Sequence, residues 1–224
     1  MRPIQLAGGG AGPLRVLFIG AHCDDIEIGC GGTILALARS HPNLVVHWLV
    51  LSATDERDLE AQRAAERFLA GVSTRTLSIE RFRDGYLPYE GSRVKDYFEA
   101  LKTRVDPDVI FTHYREDWHQ DHRFVSEVTW STFRHHLILE YEIPKYDAEP
   151  SEAPNLFVPI DDAAAETKVD LILAAYASQA SRPWFTRDVF LGAMRLRGVQ
   201  ARAPFAEAFY ARKLLLGSPG GPGG

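Results

Sequence analysis

The sequence contains little cysteine. Only two of its 224 residues are cysteines, Cys23 and Cys30, which is too few for a zinc site of four thiolates or for a disulfide framework. A bond between these two cysteines would close a very small loop. A reducing compartment is therefore the simpler interpretation.

Long apolar runs are also missing. No stretch approaches the roughly 20 apolar residues that a membrane-spanning helix needs. The first 14 residues lack the apolar core of a signal peptide. We therefore expect no membrane span and a cytoplasmic location.

Positive charge is not in excess. The chain has 25 Lys and Arg residues against 30 Asp and Glu residues, a formal net charge of −5. A protein that binds nucleic acid usually carries clustered, excess Lys and Arg to neutralise phosphates. The composition therefore predicts no nucleic-acid partner.

Short buried strands alternate with helical stretches along the chain. Strands are predicted at 15–21, 44–53, 74–80, 109–114, 155–160 and 206–216. Helices are predicted at 31–40, 55–71, 93–105, 119–136, 161–179 and 188–200. This alternation predicts an α/β fold, a single-domain, Rossmann-like three-layer sandwich with a mainly parallel sheet.

The length suits one domain with short extensions. We expect a flexible N-terminus at 1–14, the domain at 15–216 and a disordered Gly/Pro-rich tail at 217–224. The proline-rich, acidic segment 140–155 is either a mobile lid over a pocket or a surface connection.

Metal-binding side chains follow two of the predicted strands. The first strand leads into His22, Asp24 and Asp25, and the fourth leads into a second group, which contains Asp117, His119, Asp121 and His122. Because the carboxyl ends of parallel strands line one crevice, both groups are expected at the same edge of the sheet. Imidazole and carboxylate ligands suit zinc and related divalent metals.

The number of candidate ligands exceeds what one metal needs. A catalytic zinc takes three protein ligands and keeps one position for water. A spare carboxylate and a spare imidazole could then serve as the base for the water and the donor to an oxyanion. The pattern therefore indicates metal-assisted hydrolysis, and the spacing alone leaves the individual roles open.

Simpler explanations exist for each motif. Adjacent aspartates are typical of turns and helix caps, and "HQDH" can be a solvated helix start. The glycines at 29–32 match neither a dinucleotide fingerprint nor a P-loop, so a tight turn and close helix packing are favoured over a phosphate site. The remaining histidines are expected to be surface or packing residues: His41, His47, His113, His135 and His136.

Two motifs together carry a resemblance. "AHCDDIEIGCGGT" and "HQDH" resemble the signature of the zinc-dependent de-N-acetylases of the LmbE/PIG-L superfamily, which reads Ala-His-Pro-Asp-Asp-Glu and then His-x-x-His. "RDLEAQRAAERFLAG", "RDGYLP" and "PDVIFTH" are similar to further elements of that family, and the likeness runs from about Val16 to Leu216. Cys23 stands in place of the usual proline, and Glu27 comes one position later than the usual acid.

The resemblance implies a role for each residue. His22, Asp25 and His122 would ligate Zn²⁺, although another divalent metal would also suit these ligands. Asp24 would be the general base for the zinc-bound water, and His119 would stabilise the oxyanion or protonate the leaving amine.

Two further roles follow from the same resemblance. Asp121 would orient a neighbouring imidazole. Arg57 would hold the sugar, although a solvated charge on a helix is an equal alternative. Aromatic residues near the motifs are candidates for stacking on a sugar ring: Trp118, Tyr86, Trp184 and Phe185.

The implied activity is removal of the N-acetyl group from a small-molecule amino sugar or glycoconjugate. One alternative is an amidase that acts on a larger acyl-amino-sugar or on a thiol–sugar conjugate. A second is a non-catalytic, metal-binding member of the fold, and a weaker third is a carboxylate-pair glycosidase. The resemblance also allows for a homo-oligomer.

Overall fold

A buried strand ending at the candidate site forms the centre of the fold. In the computed structural model, which describes residues 2–4, 6, 12–146 and 153–215, β1 (Arg15–Gly20) is buried along all but its first residue. A strand covered on both faces reads as a continuous apolar run, as "RVLFIG" does. β1 pairs in parallel with β2 (Val45–Val50) on one side and β4 (Val109–His113) on the other.

The described residues form a seven-stranded sheet in the order β3-β2-β1-β4-β5-β7-β6. Its other strands are β3 (Thr74–Ile79), β5 (Leu137–Tyr141), β6 (Leu156–Ile160) and β7 (Phe205–Ala211). The first five strands in this order run parallel, and β7 is antiparallel to both β5 and β6. The expected single-domain α/β fold with a mainly parallel sheet is confirmed.

Helices cover both faces of the sheet. They are α1 (Asp25–Ser40), α2 (Asp55–Phe68), α3 (Gly91–Lys102), α4 (Gln120–Thr132), α5 (Asp162–Ala175) and α6 (Arg187–Ala201). Alternate residues of β1 divide between two apolar clusters: Phe18 packs with the cluster of α1, α2, α5 and α6, and Leu17 with the cluster of α3 and α4. The sheet is thus the middle of three layers.

The strand order places a crevice at the ends of β1 and β4. The chain moves from β1 outward to β2 and β3, then returns across β1 to form β4. Loops after adjacent strands at such a reversal point diverge and leave space for a ligand. The two groups of polar residues that follow β1 and β4 both lie at this crevice.

Two elements differ from the sequence prediction. Helix α1 begins at Asp25 rather than at residue 31, so the glycines at 29–32 lie inside the helix and form no tight turn. The predicted helix 119–136 ends at Thr132, and β5 occupies Leu137–Tyr141, where no strand was expected. This strand is short and contains Glu140, a charged residue that is satisfied by Trp130 and Arg212 after folding.

The glycines of α1 allow neighbouring groups to come close. A Cβ atom on Gly29 would lie 2.7 Å from Cγ of Tyr141, and one on Gly31 would lie 2.8 Å from Phe68. Cys30, between them, is buried, and both cysteines of the chain are free thiols. The expected close packing of this glycine run is therefore confirmed, and it is packing of α1 against β5 and α2.

The expected extensions fall largely outside the described residues. All of 217–224 lies outside them, and of 1–14 only residues 2–4, 6 and 12–14 are described, with no helix or strand. Segment 140–155 begins as β5, and its residues 147–152 also lie outside the described ranges. No helix within those ranges has both the length and the apolar character that crossing a membrane requires.

Gly29→Ala should destabilise the protein because the added methyl group overlaps the ring of Tyr141. Overpacking of this kind costs about 1–3 kcal/mol. The free energy of unfolding from denaturant titration measures it. Gly192→Ala is the matched control, since a Cβ on this residue of α6 meets nothing within 4 Å and should stabilise the helix by about 0.5–1 kcal/mol. Equal effects of the two changes would contradict the packing argument.

Candidate active site

The end of β1 delivers one imidazole and two carboxylates to the crevice. His22 follows the strand, Asp24 occupies the N-cap position of α1, and Asp25 is the first residue of that helix. The backbone N–H of His22 donates to Asp25 Oδ2 at 2.7 Å. Asp24 makes no capping hydrogen bond with its side chain, so it is not the simple helix cap that an adjacent aspartate pair often provides.

The segment after β4 adds the second group. His119 is the N-cap of α4, and its Nδ1 accepts the backbone N–H of Asp121 at 3.2 Å. Asp117 Oδ1 accepts the backbone N–H of His119 at 2.8 Å. This capped start of α4 turns His122, one helical turn beyond His119, toward the residues that follow β1.

Three side-chain atoms from the two segments form a compact triangle. His22 Nδ1 lies 3.3 Å from Asp25 Oδ2 and 3.3 Å from His122 Nε2, and the third edge, from His122 Nε2 to Asp25 Oδ2, is 3.5 Å. All three residues are buried. The ligands of a tetrahedral zinc ion at about 2.0–2.1 Å are about 3.3 Å from one another. The triangle therefore fits one face of a zinc coordination tetrahedron.

The outward nitrogens of both histidines meet carboxylates. His122 Nδ1 lies 2.9 Å from Asp117 Oδ2, whereas His22 Nε2 lies 3.2 Å from Asp121 Oδ2 and 3.1 Å from Asp84 Oδ1. Metal-bound histidines typically donate their other N–H to such a partner, which fixes the tautomer and the ring orientation. This arrangement leaves one lone pair of each imidazole directed into the triangle.

The electrostatics of the triangle favour a cation. Burial alone lowers the pKa of His22, but Asp25, Asp121 and Asp84 raise it well above its ordinary value. Burial also lowers the pKa of His122, but Asp25 and Asp117 outweigh this and raise it. The surrounding carboxylates thus stabilise positive charge at this point, which is the requirement for holding a divalent metal ion.

The two oxygens of Asp24 have different environments. Oδ1 lies 3.1 Å from Lys145 Nζ and 3.1 Å from Arg57 Nη2. Oδ2 is buried and has no hydrogen-bond partner among the described residues. Burial raises the pKa of Asp24, but Lys145 and Arg57 outweigh this and lower it. The carboxylate is therefore ionised at neutral pH and presents one unoccupied acceptor.

His119 lies beside the triangle but contributes none of its three atoms. Its ring centroid lies 4.8 Å from that of His22 and 4.5 Å from that of His122. Partial burial and the neighbouring His122 and His22 lower its pKa. Since its Nδ1 accepts the N–H of Asp121, the neutral ring carries its proton on Nε2.

Asp121 connects His22 to the loop that follows β3. Its Oδ2 accepts the backbone N–H of Gly85 at 2.8 Å, and its Oδ1 accepts that of Leu87 at 3.1 Å. Gly85 has φ of +75°, a conformation that favours glycine. The imidazole that Asp121 contacts with its carboxylate is His22, across the crevice.

Arg57 lies in the first turn of α2 and is directed into the site. Its side chain is 20% exposed and contacts Asp24, so it is not a solvated charge on a helix surface. Burial lowers its pKa, but Asp24 outweighs this and raises it above the ordinary value.

Sequence reasoning missed the contribution of Lys145. This lysine follows β5 within the 140–155 segment and contacts both Asp24 and Asp25. A lone lysine in a proline-rich stretch carries no motif. Asp117 is among the polar residues that follow the fourth strand, but the sequence predicts no individual role for it.

His113 and Glu27 are both fully buried. The ring of His113 stacks 3.9 Å from that of His122, and its Nε2 lies 3.2 Å from Asp25 Oδ2. Burial lowers its pKa to about 3. Glu27 lies one turn into α1 from Asp24. Burial raises its pKa to about 8, and Tyr176 donates a hydrogen bond to it. The remaining histidines lie away from the triangle: His41, His47, His135 and His136.

A cavity of about 210 Å³ adjoins the site. Its walls are largely apolar side chains of α6 and β7, including Phe190 and Met194, and Asp117 forms part of its lining. The three residues of the triangle are not among its lining residues, so the cavity lies beside the candidate metal position rather than around it.

The comparisons with known proteins agree on one fold. The family model described as "PIG-L: GlcNAc-PI de-N-acetylase" matches residues 17–133, just over half of the chain. Among solved structures, the conserved protein TT1542 from Thermus thermophilus is 22% identical with a TM-score of 0.70, over 94% of this chain and 100% of that chain.

Two enzymes of different activity share this fold. The N,N'-diacetylchitobiose deacetylase from Pyrococcus horikoshii is 20% identical with a TM-score of 0.70, over 87% of this chain and 82% of that chain. GalB, the 4-carboxy-2-hydroxymuconate hydratase from Pseudomonas putida, is 17% identical with a TM-score of 0.73, over 92% of this chain and 99% of that chain. Likeness at these identities shows the fold, and the fold alone does not select a reaction.

Asp117→Asn should weaken metal binding by about 10–100-fold because the amide no longer provides a charged partner for Nδ1 of His122. Competition with a chromogenic chelator measures the dissociation constant for Zn²⁺. Asp161→Asn, at the N-cap of α5, is the matched control and should leave this constant unchanged. An Asp117→Asn protein that binds Zn²⁺ as tightly as the wild type would refute the orienting role.

Proposed function

Because the chain belongs to the PIG-L family of GlcNAc-PI de-N-acetylases, we propose that it is a zinc-dependent hydrolase that removes the N-acetyl group from an amino sugar or glycoconjugate. One of the deacetylases among its structural neighbours is named for N,N'-diacetylchitobiose, which is a substrate of this class. The observation that carries the proposal is the unpartnered, buried Oδ2 of Asp24 beside a triangle of potential metal ligands, both within the described part of the chain.

In this proposal His22, Asp25 and His122 hold the metal. A bound divalent ion would supply Lewis-acid chemistry, lowering the pKa of a water molecule and polarising the amide carbonyl. The two-nitrogen, one-oxygen donor set suits zinc and also admits iron, manganese or cobalt. Asp117 and Asp121 keep the two imidazoles oriented for this task.

Asp24 moves the proton. Its Oδ2 accepts the proton of the attacking water and then delivers it to the nitrogen of the leaving amine. Its Oδ1 is occupied by Lys145 and Arg57, so the carboxylate is held with a single oxygen available for this transfer. A general base confined to one orientation needs little reorganisation during the reaction.

His119 stabilises the charge that develops on the amide oxygen. Its Nδ1 is occupied by the N–H of Asp121, and the Nε2–H is therefore the donor that remains. A donor placed in advance at a developing oxyanion is worth about 2.7–4 kcal/mol of barrier lowering in known cases. Asp121 contributes by fixing both His119 and His22, without itself contacting the substrate.

Two exposed aromatic rings lie on loops that carry residues of the site. Trp118 is 65% exposed and Tyr86 is 41% exposed, on the loops that also carry His119 and Gly85. We assign these rings to stacking on a sugar, whereas Phe185 is buried and unsuited to that role. Arg57 remains a predicted sugar contact in addition to its contact with Asp24, and the homo-oligomer and cytoplasmic location also stay predictions.

Asp24→Asn should reduce acetate release from N-acetylglucosamine conjugates by roughly 10²–10⁴-fold because the amide cannot accept the proton. Zinc content, measured by elemental analysis, should stay at the wild-type level, since Asp24 lies outside the ligand triangle. Asp170→Asn, an exposed aspartate that pairs with Arg187, is the control for the substitution itself. Full activity in Asp24→Asn would remove the base assignment.

Removal of the metal should abolish hydrolysis, and stoichiometric Zn²⁺ should restore it. Acetate, free amine and new reducing ends are measured together on a panel with acetyl and longer acyl groups. Acetate with free amine supports the proposal, and preference for a longer acyl group supports the wider amidase activity. New reducing ends that persist in chelator indicate a glycosidase. Metal binding without any hydrolysis on the panel indicates the non-catalytic alternative.

A further inference from the structure

Lys145 contacts both Asp24, the proposed general base, and Asp25, the proposed metal ligand. Its Nζ lies 3.1 Å from Asp24 Oδ1 and 3.1 Å from Asp25 Oδ1. The side chain is only 17% exposed, and the ammonium lies 5.1 Å from the ring centroid of Trp184. The buried ammonium is therefore held between two carboxylates and the face of an aromatic ring.

The atoms that Lys145 contacts are not the atoms that the proposed chemistry uses. Asp25 directs Oδ2 toward His22 and His122, and Lys145 contacts the opposite oxygen. Asp24 keeps Oδ2 without a partner among the described residues, and Lys145 again contacts the opposite oxygen. The ammonium and a metal ion can therefore occupy the site at the same time.

We propose that Lys145 is a positioning residue that limits Asp25 to one ligand oxygen, directs Oδ2 of Asp24 into the reaction space, and lowers the affinity of the site for its metal. This inference rests on the proposed metal-dependent function. Lys145 would keep Asp25 monodentate and so preserve an open coordination position. A fixed positive charge close to a divalent cation also opposes metal binding by Coulomb repulsion.

Whether metal affinity rises or falls when Lys145 is replaced distinguishes the proposed role from a structural one. Loss of a merely structural residue loosens the site and weakens metal binding and catalysis together. Loss of Lys145 leaves Asp24 and Asp25 with more uncompensated negative charge, which favours a divalent cation. We therefore expect tighter metal binding together with slower catalysis in the same variant.

The chain offers a matched control in a second buried lysine. Lys168 forms an ion pair with Glu207 at 2.6 Å and donates to the carbonyl of Ile28 at 2.6 Å. Its ammonium thus bonds to groups other than Asp24 and Asp25. Lys168→Met therefore removes a buried ammonium from the core but leaves in place the positive charge that contacts Asp24 and Asp25.

The experiment compares the wild type with Lys145→Met, Lys145→Gln, Lys145→Arg and Lys168→Met, each depleted of metal by chelator. Competition with a chromogenic chelator gives the dissociation constant for Zn²⁺, and the rise in melting temperature on adding Zn²⁺ gives a second measure. Acetate release gives kcat and KM. Lys145→Gln repeats the loss of charge with a hydrogen-bond donor retained, in case Lys145→Met does not fold.

We expect Lys145→Met and Lys145→Gln to bind Zn²⁺ at least about tenfold more tightly than the wild type. A neighbouring charge within about 4–6 Å changes the equilibrium constant of an ionic group by roughly 10- to 1,000-fold. Their kcat should fall by about 10–100-fold with KM little changed. Lys145→Arg should restore both values toward the wild type. Lys168→Met should lower the melting temperature without tightening metal binding.

Unchanged or weaker Zn²⁺ binding in both neutral variants would overturn the proposal, whatever happens to acetate release. Tighter binding that is shared by Lys168→Met would overturn it as well. If the wild type releases no acetate while the neutral variants still bind Zn²⁺ more tightly, the proposed reaction fails and the effect of Lys145 on the metal stands.

Discussion

Asp24 and Asp25 are buried side by side at the end of β1, and their negative charge needs balancing cations for the fold to tolerate it. Lys145 contacts both carboxylates, Arg57 contacts Asp24, and three imidazoles surround Asp25. These partners come from several different loops, strands and helices. These partners leave Oδ2 of Asp24 as the one oxygen of the two carboxylates without a hydrogen-bond partner among the described residues.

Helix α1 shows how the core supports this arrangement. Glu207 of β7 accepts the backbone N–H groups of Gly32 and Thr33 at 2.7 Å each, in the middle of the helix. Lys168 of α5 satisfies both Glu207 and the carbonyl of Ile28. Buried ionic groups are tolerated when they are paired and hydrogen-bonded, as Lys168 and Glu207 are. The middle of the helix that begins with a metal-ligand candidate is thus fixed by residues from the later part of the chain.

Local patterns in the sequence predicted much of this site. His22, Asp25 and His122 could be grouped because each follows a recognisable buried strand, and parallel strands share one edge. Lys145 could not be found in this way, since its position depends on β5, a short strand with Glu140 inside it. The start of α1 was missed for a related reason: glycines that suggest a turn are required here by the packing of Tyr141 and Phe68. Contacts between distant segments decided both cases.

The matched family segment, residues 17–133, contains every residue of the ligand triangle and the proposed base. Several groups that set the environment of those residues lie beyond it, in the later part of the chain: Tyr141, Lys145, Lys168, Tyr176 and Glu207. A chimaera that joined this segment to the C-terminal half of a relative would keep the recognisable motifs and exchange their electrostatic surroundings. The activity of proteins with this fold can therefore diversify through changes in the C-terminal half, which carries no family motif, while the reactive groups stay the same.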